Sequence, residues 1–289
     1  MMSVVTPTLH GDINTSQNSF LSEPMSAIDL HNSKVSRNFW LLVDDKSPIS
    51  LTGQSAKQEA KKFDKNENVK LKAGMLYHKI IRDLEEVNLK TEITNFVPVT
   101  NDQVEIMEIK IKNTGSDTRK IDAVSAIPLY GRSADNLRDH RHVTSLLNVT
   151  KTVENGVELT PTLSFDERGH KENGLTYAVY GKTDDNKSPI GFYPVFEDFI
   201  GEGGSLTWPK SLVENQKCIE KGKIIEGYES MGALRFETID LKPSEQKTYY
   251  LAIVVKQKDD NKNYSKKYCE KEKIDKYLKD NKEYWKNLI

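Results

Sequence analysis

The densest chemistry in the chain lies between Arg132 and Asn148, inside the stretch AIPLYGRSADNLRDHRHVTSLLN. Three arginines, two histidines, two aspartates and two asparagines are gathered there. Arginine forks and asparagine amides suit phosphate oxygens and sugar hydroxyls. On a strand, alternation would place His140 and His142 on one face and Arg141 on the other. Two histidines at that spacing could hold a metal, but no third ligand stands at a suitable distance in the sequence. Two readings stay open for the segment: a solvated crossover between two apolar strands, or a patch that docks something anionic or hydroxyl-rich.

Two other stretches carry polar chemistry. EDFIGEGGSLTWP, from Glu197 to Pro209, has glycines at 201, 203 and 204 but lacks the spacing of a dinucleotide or phosphate loop. Its glycines read as a tight turn presenting neighbours such as Glu202. Trp208 is either a platform for stacking a sugar or part of the core. SFDERGH, from Ser164 to His170, supplies Asp166 and Glu167. Glycosidic chemistry needs two carboxylates flanking one bond, and adjacent strand residues point to opposite faces. This stretch therefore reads as a strand end and hairpin turn. No nucleophile elbow and no cysteine–histidine pair is apparent, so the chain offers recognition material without a catalytic engine.

The elements that must position these residues are strands. NFWLLVDDKSPISLTG reads as strand, Asp-Asp-Lys turn, strand. SAKQEAKKFDKNEN reads as a short helix or a loop. VKLKAGMLYHKIIRDLEEV and VNLKTEITNFVPV follow with strand character. In VEIMEIKIKNTGSD, Val104, Ile106, Ile109 and Ile111 are apolar, and the one-residue slip at Met107–Glu108 predicts a bulge. Further strands are read in VELTPTLSFDE, LTYAVYG, GFYPVFEDFIG, ALRFETIDL and KTYYLAIVVKQ. Strands recur without helix–strand alternation, which predicts an all-β fold, a large antiparallel β-sandwich. Residues 1–26 are polar and non-periodic and read as an extended arm. The sandwich is expected over 27–260. Residues 261–289 follow as a helix with Ile274, Tyr277, Leu278, Asn281, Trp285 and Leu288 on one face.

Composition narrows the function classes. The 289 residues carry 42 basic and 43 acidic side chains, for a formal net charge of −1. Such a balance builds no long-range field for nucleic acid or an anionic membrane. No stretch approaches the roughly 20 apolar residues of a membrane span, and the first 25 residues lack a secretory pattern. Two cysteines, Cys218 and Cys269, lie far apart and form no ligand motif. A reduced, cytoplasmic chain with no cofactor and no metal is expected.

Five blocks together carry a resemblance: NFWLLVDDKSPISLTGQSA, IPLYGRSADNLRDHRHVTSLLN, PTLSFDERGH, GFYPVFEDFIGEGGSLTWP and the terminal YLKDNKEYW. They resemble, in collinear order over roughly Ala27 to Ile289, the N-terminal part of the inverting glycoside phosphorylases. That family includes cellobiose and cellodextrin phosphorylases, and the likeness is greatest to the β-1,2-oligoglucan phosphorylases. The resemblance implies a galactose-mutarotase-like supersandwich, then linker helices, then an (α/α)6 barrel that carries the general acid. It further implies that this chain stops within the linker and lacks the barrel.

In the intact enzyme inorganic phosphate is the co-substrate and itself attacks the anomeric carbon, so one protein acid suffices. The products are α-glucose 1-phosphate and a shortened β-glucan. No residue here inherits a catalytic role. The resemblance points to Tyr130, Arg132, Asn136, Arg138, His140, Arg141 and His142, with Glu202 and Trp208 behind them, as contacts to substrate or to the barrel. The implied partners are a β-glucan oligosaccharide, a separate barrel polypeptide or domain, and a second copy in a homodimer. Two rivals are a stand-alone carbohydrate-binding protein and a mutarotase-like epimerase. The latter needs a histidine and a carboxylate converging in a sandwich cleft, and nothing in the sequence marks such a pair.

Overall fold

The computed structural model describes residues 1–26, 35–61, 68–137, 141–166 and 169–288. Among them, nine strands form one antiparallel sheet. Their order is Ile224–Glu226, Val149–Val153, Gly156–Leu159, Leu175–Thr183, Gln246–Gln257, Gln103–Asn113, Leu89–Phe96, Tyr77–Leu84 and Asn68–Gly74. A six-stranded sheet runs Gly191–Val195, Ser230–Arg235, Arg119–Leu129, Asn38–Val43 and Ile49–Ser50, with Ile239–Leu241 pairing beside Arg119–Leu129. The main core lies between the two sheets. Phe39, Leu41 and Ile127 from the smaller sheet belong to one buried cluster with Met107, Ile109, Tyr249 and Leu251 from the larger. The fold is the predicted all-β sandwich with a C-terminal helix.

Both outer faces are also covered at their centres, which explains why several strands are apolar on both sides. On the larger sheet, the helices Tyr264–Tyr268 and Lys271–Leu288 bring Tyr264, Tyr268, Cys269 and Ile274 against Val104, Ile106, Tyr250 and Ala252. Burial pushes the Cys269 thiol up to about 12. On the smaller sheet, the short helices Phe196–Ile200 and Lys210–Val213 lay Phe199 and Leu212 over Trp40, Val124 and Met231.

The double coverage corrects one expectation. The strand Gln103–Asn113 has no bulge, because its register with Gln246–Gln257 runs unbroken from Gln103 to Lys112. Met107, Ile109 and Ile111 face the core between the sheets, while Val104 and Ile106 face the C-terminal helices. Farther along the outer face the helical cover ends, and Glu108 and Lys110 pair there at 2.8 Å. The slip in the hydrophobic pattern marks the edge of the helical cover.

The C-terminal stripe docks with its first half. Ile274 and Asn281 are buried, Tyr277 and Leu278 pack partly, and Leu288 stays exposed. Asp102 anchors the preceding helix, accepting from Lys262, Lys267 and the Tyr268 hydroxyl at 3.2, 2.5 and 2.8 Å.

Residues 1–26, expected as an arm, contribute to the sandwich. The short strands Met2–Ser3, Ile13–Ser16 and Ser19–Phe20 pair with one another, and Leu9, Ile13 and Leu21 sit fully buried in the main core. Too few apolar residues stand at regular spacing for this to show as a pattern; three isolated ones are sufficient because each enters the core singly.

GFYPVFEDFIG is strand only through Val195. Phe196 starts a helical turn that swings Phe199 back over the sheet, and Gly201 ends it at φ 69°. The turn of the first hairpin is as expected: Asp44 and Asp45 both hold positive φ, as a two-residue reversal of this hand requires.

Candidate functional site

The crossover after the strand Arg119–Leu129 is not a connection between two strands in the expected sense. A 3-10 turn covers Ala134–Leu137, a short helix covers Arg141–Thr144 and a second 3-10 turn covers Ser145–Leu147; the next strand begins at Val149. The strand alternation expected for His140, Arg141 and His142 therefore does not apply to 141 and 142, whose backbone is helical. Arg138 and His140 lie outside the described residues, as do Glu167 and Arg168.

Arg132, Ser133 and Asn136 turn inward, while Asp135 is exposed. Arg132 leaves only 3% of its side chain accessible and binds the Glu229 carboxylate. Its Nε donates to the Tyr130 carbonyl at 3.0 Å and its Nη1 to the Thr144 hydroxyl at 2.6 Å. The guanidinium also lies 4.5 Å from the centre of the Tyr130 ring. Tyr130 is buried and donates its hydroxyl to the Ser133 carbonyl at 3.2 Å. Asn136 accepts from the Ser133 hydroxyl at 3.0 Å. Gly131 adopts φ 67°, and a Cβ there would meet Leu159 at 2.7 Å, so the turn needs glycine twice over. In this arrangement Tyr130, Arg132 and Asn136 hold the crossover in shape.

Among the described residues of the crossover, two large apolar side chains reach solvent. Val143 and Leu146 are exposed, and so are Ile224 and Tyr228 on the neighbouring segment. The two segments touch where Asn148 Nδ2 donates to the Tyr228 carbonyl at 2.9 Å.

The remaining candidates lie apart from it. Glu202 lines an open groove of about 360 Å³ with Glu197, Asp198, Lys210 and Gln216. Trp208 does not join the core; it is 38% exposed in a turn closed by Ser205, whose hydroxyl accepts from the Trp208 N–H at 3.2 Å. Leu163–Asp166 and Gly169–Glu172 form the expected hairpin, with Asp166 opposite Gly169. A cleft of about 680 Å³ is lined by Lys46, Lys57, Lys61, Asp83, Glu85 and Glu86. Lys61 and Lys57 both bind Glu86 there at 2.9 Å and hold its carboxyl down to about 2.

Sequence reasoning missed a second polar centre. Arg37 and Glu105 pair at 2.6 Å with side chains 2% and 0% accessible. Arg37 also donates to the carbonyls of Leu9, Gly11 and Asp12 at 3.3, 3.0 and 3.0 Å. Asn95 donates to Glu105 at 3.0 Å. His78 stands opposite Asn95 in the sheet. Burial, then the charge of Arg37, hold its imidazole below the ordinary range. The one available signal was Glu105 itself, a carboxylate in alternation with the core-facing Met107, Ile109 and Ile111, which must find a cation.

Among the described residues, no three His, Cys, Asp or Glu side chains group as a metal site would need, and no helix is long and apolar enough to cross a membrane.

A polysaccharide lyase structure is similar at 9% identity and TM-score 0.43, covering 92% of this chain and 33% of that one. An aldose epimerase homologue from C. elegans is similar at 10% identity and TM-score 0.41, covering 88% of this chain and 94% of that one. The chain thus spans about a third of the polysaccharide lyase. No curated protein sequence matches it. Residues 42–271 match the supersandwich domain of glycosyl hydrolase 94, and the chain belongs to that family.

Proposed function

We propose that this chain is the sandwich module of a β-1,2-oligoglucan phosphorylase, working with an (α/α)6 barrel, a domain or a polypeptide, that supplies the general acid. The observation that carries the reading is the family match across residues 42–271. In the assembled enzyme inorganic phosphate attacks the anomeric carbon of the terminal glucose of a β-glucan, the glycosidic C–O bond breaks, and the barrel acid protonates the oxygen of the leaving, shortened glucan. The sandwich contributes no reacting group in this reading.

The crossover then serves as a contact to the barrel. Arg132 is turned inward and paired, while Val143, Leu146, Ile224 and Tyr228 face out. An apolar group of this kind fits a protein surface better than a sugar, whose hydroxyls need polar partners. Trp208 and Glu202 stay as sugar contacts at a distance from it.

The test supplies the chain with phosphate and β-1,2-glucooligosaccharides, alone and together with the barrel half of a related phosphorylase. Formation of α-glucose 1-phosphate is expected only in the mixture. Turnover by the chain alone overturns the proposal. Tight binding of sophorose by the chain, with no gain of turnover in the mixture, would instead make it a free-standing carbohydrate-binding protein.

A further inference from the structure

We propose that residues 1–21 form a clamp, locked by Arg37, that sets the shape of the crossover and opens as one unit without unfolding the sandwich. The inference rests on backbone pairing and does not depend on the functional reading above.

The segment joins the two polar centres of the molecule. At one end Arg37 grips it by three main-chain carbonyls, those of Leu9, Gly11 and Asp12. Gln54 takes a fourth, the Thr8 carbonyl, at 2.5 Å. At the other end the segment pairs with the crossover itself. Phe20 donates to the Arg132 carbonyl at 2.9 Å, Gly131 donates back to Phe20 at 3.0 Å, and Tyr130 donates to Leu21 at 2.7 Å. Ala134 donates to the Gln17 carbonyl at 3.3 Å. The crossover backbone from Tyr130 to Ala134 therefore takes its partners from residues 17–21. A side-chain contact adds to this: the Ser19 and Tyr177 hydroxyls meet at 3.1 Å.

The hold of Arg37 on the segment goes through main-chain carbonyls. Carbonyl recognition by arginine depends on position and not on sequence, so the lock acts on the path of the chain. Arg37 directly precedes the strand Asn38–Val43, and its pair with Glu105 on Gln103–Asn113 fixes it to the sandwich. Releasing Arg37 removes the hold on Leu9, Gly11 and Asp12 together, and slack in the segment then reaches Phe20 and Leu21.

Native-state hydrogen exchange on the intact chain tests this directly. The amides of Val4, Phe20, Tyr130, Gly131 and Ala134 are expected to share one opening reaction, about a hundredfold more frequent than that of Ile253 and Val254 in the central strand. In the double variant Arg37→Met with Glu105→Leu, which leaves no unpaired charge, the first group should exchange about tenfold faster while the central amides hold. Exchange of the first group only through global unfolding in the unaltered chain overturns the proposal, and this measurement decides alone where the variant does not fold. Faster exchange at Val4 and Phe20 with unchanged protection at Tyr130, Gly131 and Ala134 also overturns it, because the crossover would then hold its own shape.

Discussion

Arg37–Glu105 and Arg132–Glu229 are the same chemical pair in two settings. The first has both side chains out of water, 2% and 0% accessible; the second buries Arg132 but leaves Glu229 18% accessible. Desolvation grows steeply with depth, so the first pair must be almost fully satisfied by protein groups and the second need not be. The structure follows that rule. Around Arg37 and Glu105, three carbonyls, the Ser3 hydroxyl and the Asn95 amide complete the hydrogen bonding. Arg132 is completed by a carbonyl, a hydroxyl and an aromatic face. Depth turns one pair into the bolt of the fold and leaves the other as the brace of a loop.

The comparison breaks most readily at Glu105. Glu105→Ala leaves Arg37 buried and uncompensated, and a loss of about 3–5 kcal/mol is expected in chemical denaturation. Replacing both partners by apolar residues should recover most of that loss, since no charge is then stranded. A single substitution costing less than about 1 kcal/mol would show that water reaches the pair.

At the brace the effect should be smaller. Arg132→Met frees Glu229 to turn to solvent, and the loss of the hydrogen bonds to Thr144 and Tyr130 should cost about 1–3 kcal/mol. A cost equal to that of Glu105→Ala would erase the distinction between the two sites.

Acidification sharpens the comparison from another side. His78 keeps a depressed pKa when folded, through burial and the nearby Arg37. The unfolded chain therefore takes up the proton first, and stability falls as the pH drops through about 6.5, the ordinary histidine value. The urea midpoint should decrease between neutral pH and pH values below that point, and His78→Asn should flatten the slope. An unchanged slope would mean that the imidazole is solvated in the folded state.

Least effect on stability is expected at Trp208. It touches neither pair and stands 38% exposed, so Trp208→Ala should shift the midpoint by no more than about 0.5 kcal/mol. A larger loss would make it a core residue after all.

Legibility in the sequence followed the regularity of the environment. The strands Leu89–Phe96 and Gln246–Gln257 and the helix Lys271–Leu288 were readable because long runs meet a uniform surface. The bulge expected at Met107–Glu108 was a misreading of a strand whose outer cover ends partway along it. The arm expected at residues 1–26 hid Leu9, Ile13 and Leu21, which enter the core one at a time and leave no period. Trp208 was ambiguous because a lone tryptophan has no neighbours in the sequence to say which side it faces. Of the candidate site, the cluster from Arg132 to His142 was visible by density, yet density did not tell that Arg132 points inward.

The sequence by itself determined the sandwich, the terminal helix and the balance of charge, since these depend on local patterns of apolar residues repeated over many positions. Tertiary structure alone decided what the isolated charges do. Arg37 and Glu105 stand 68 residues apart, and Arg132 and Glu229 stand 97 apart. An ion pair has no period and no local signature. Its partner is chosen by which strands lie side by side and by how much water the packed sheets leave between them.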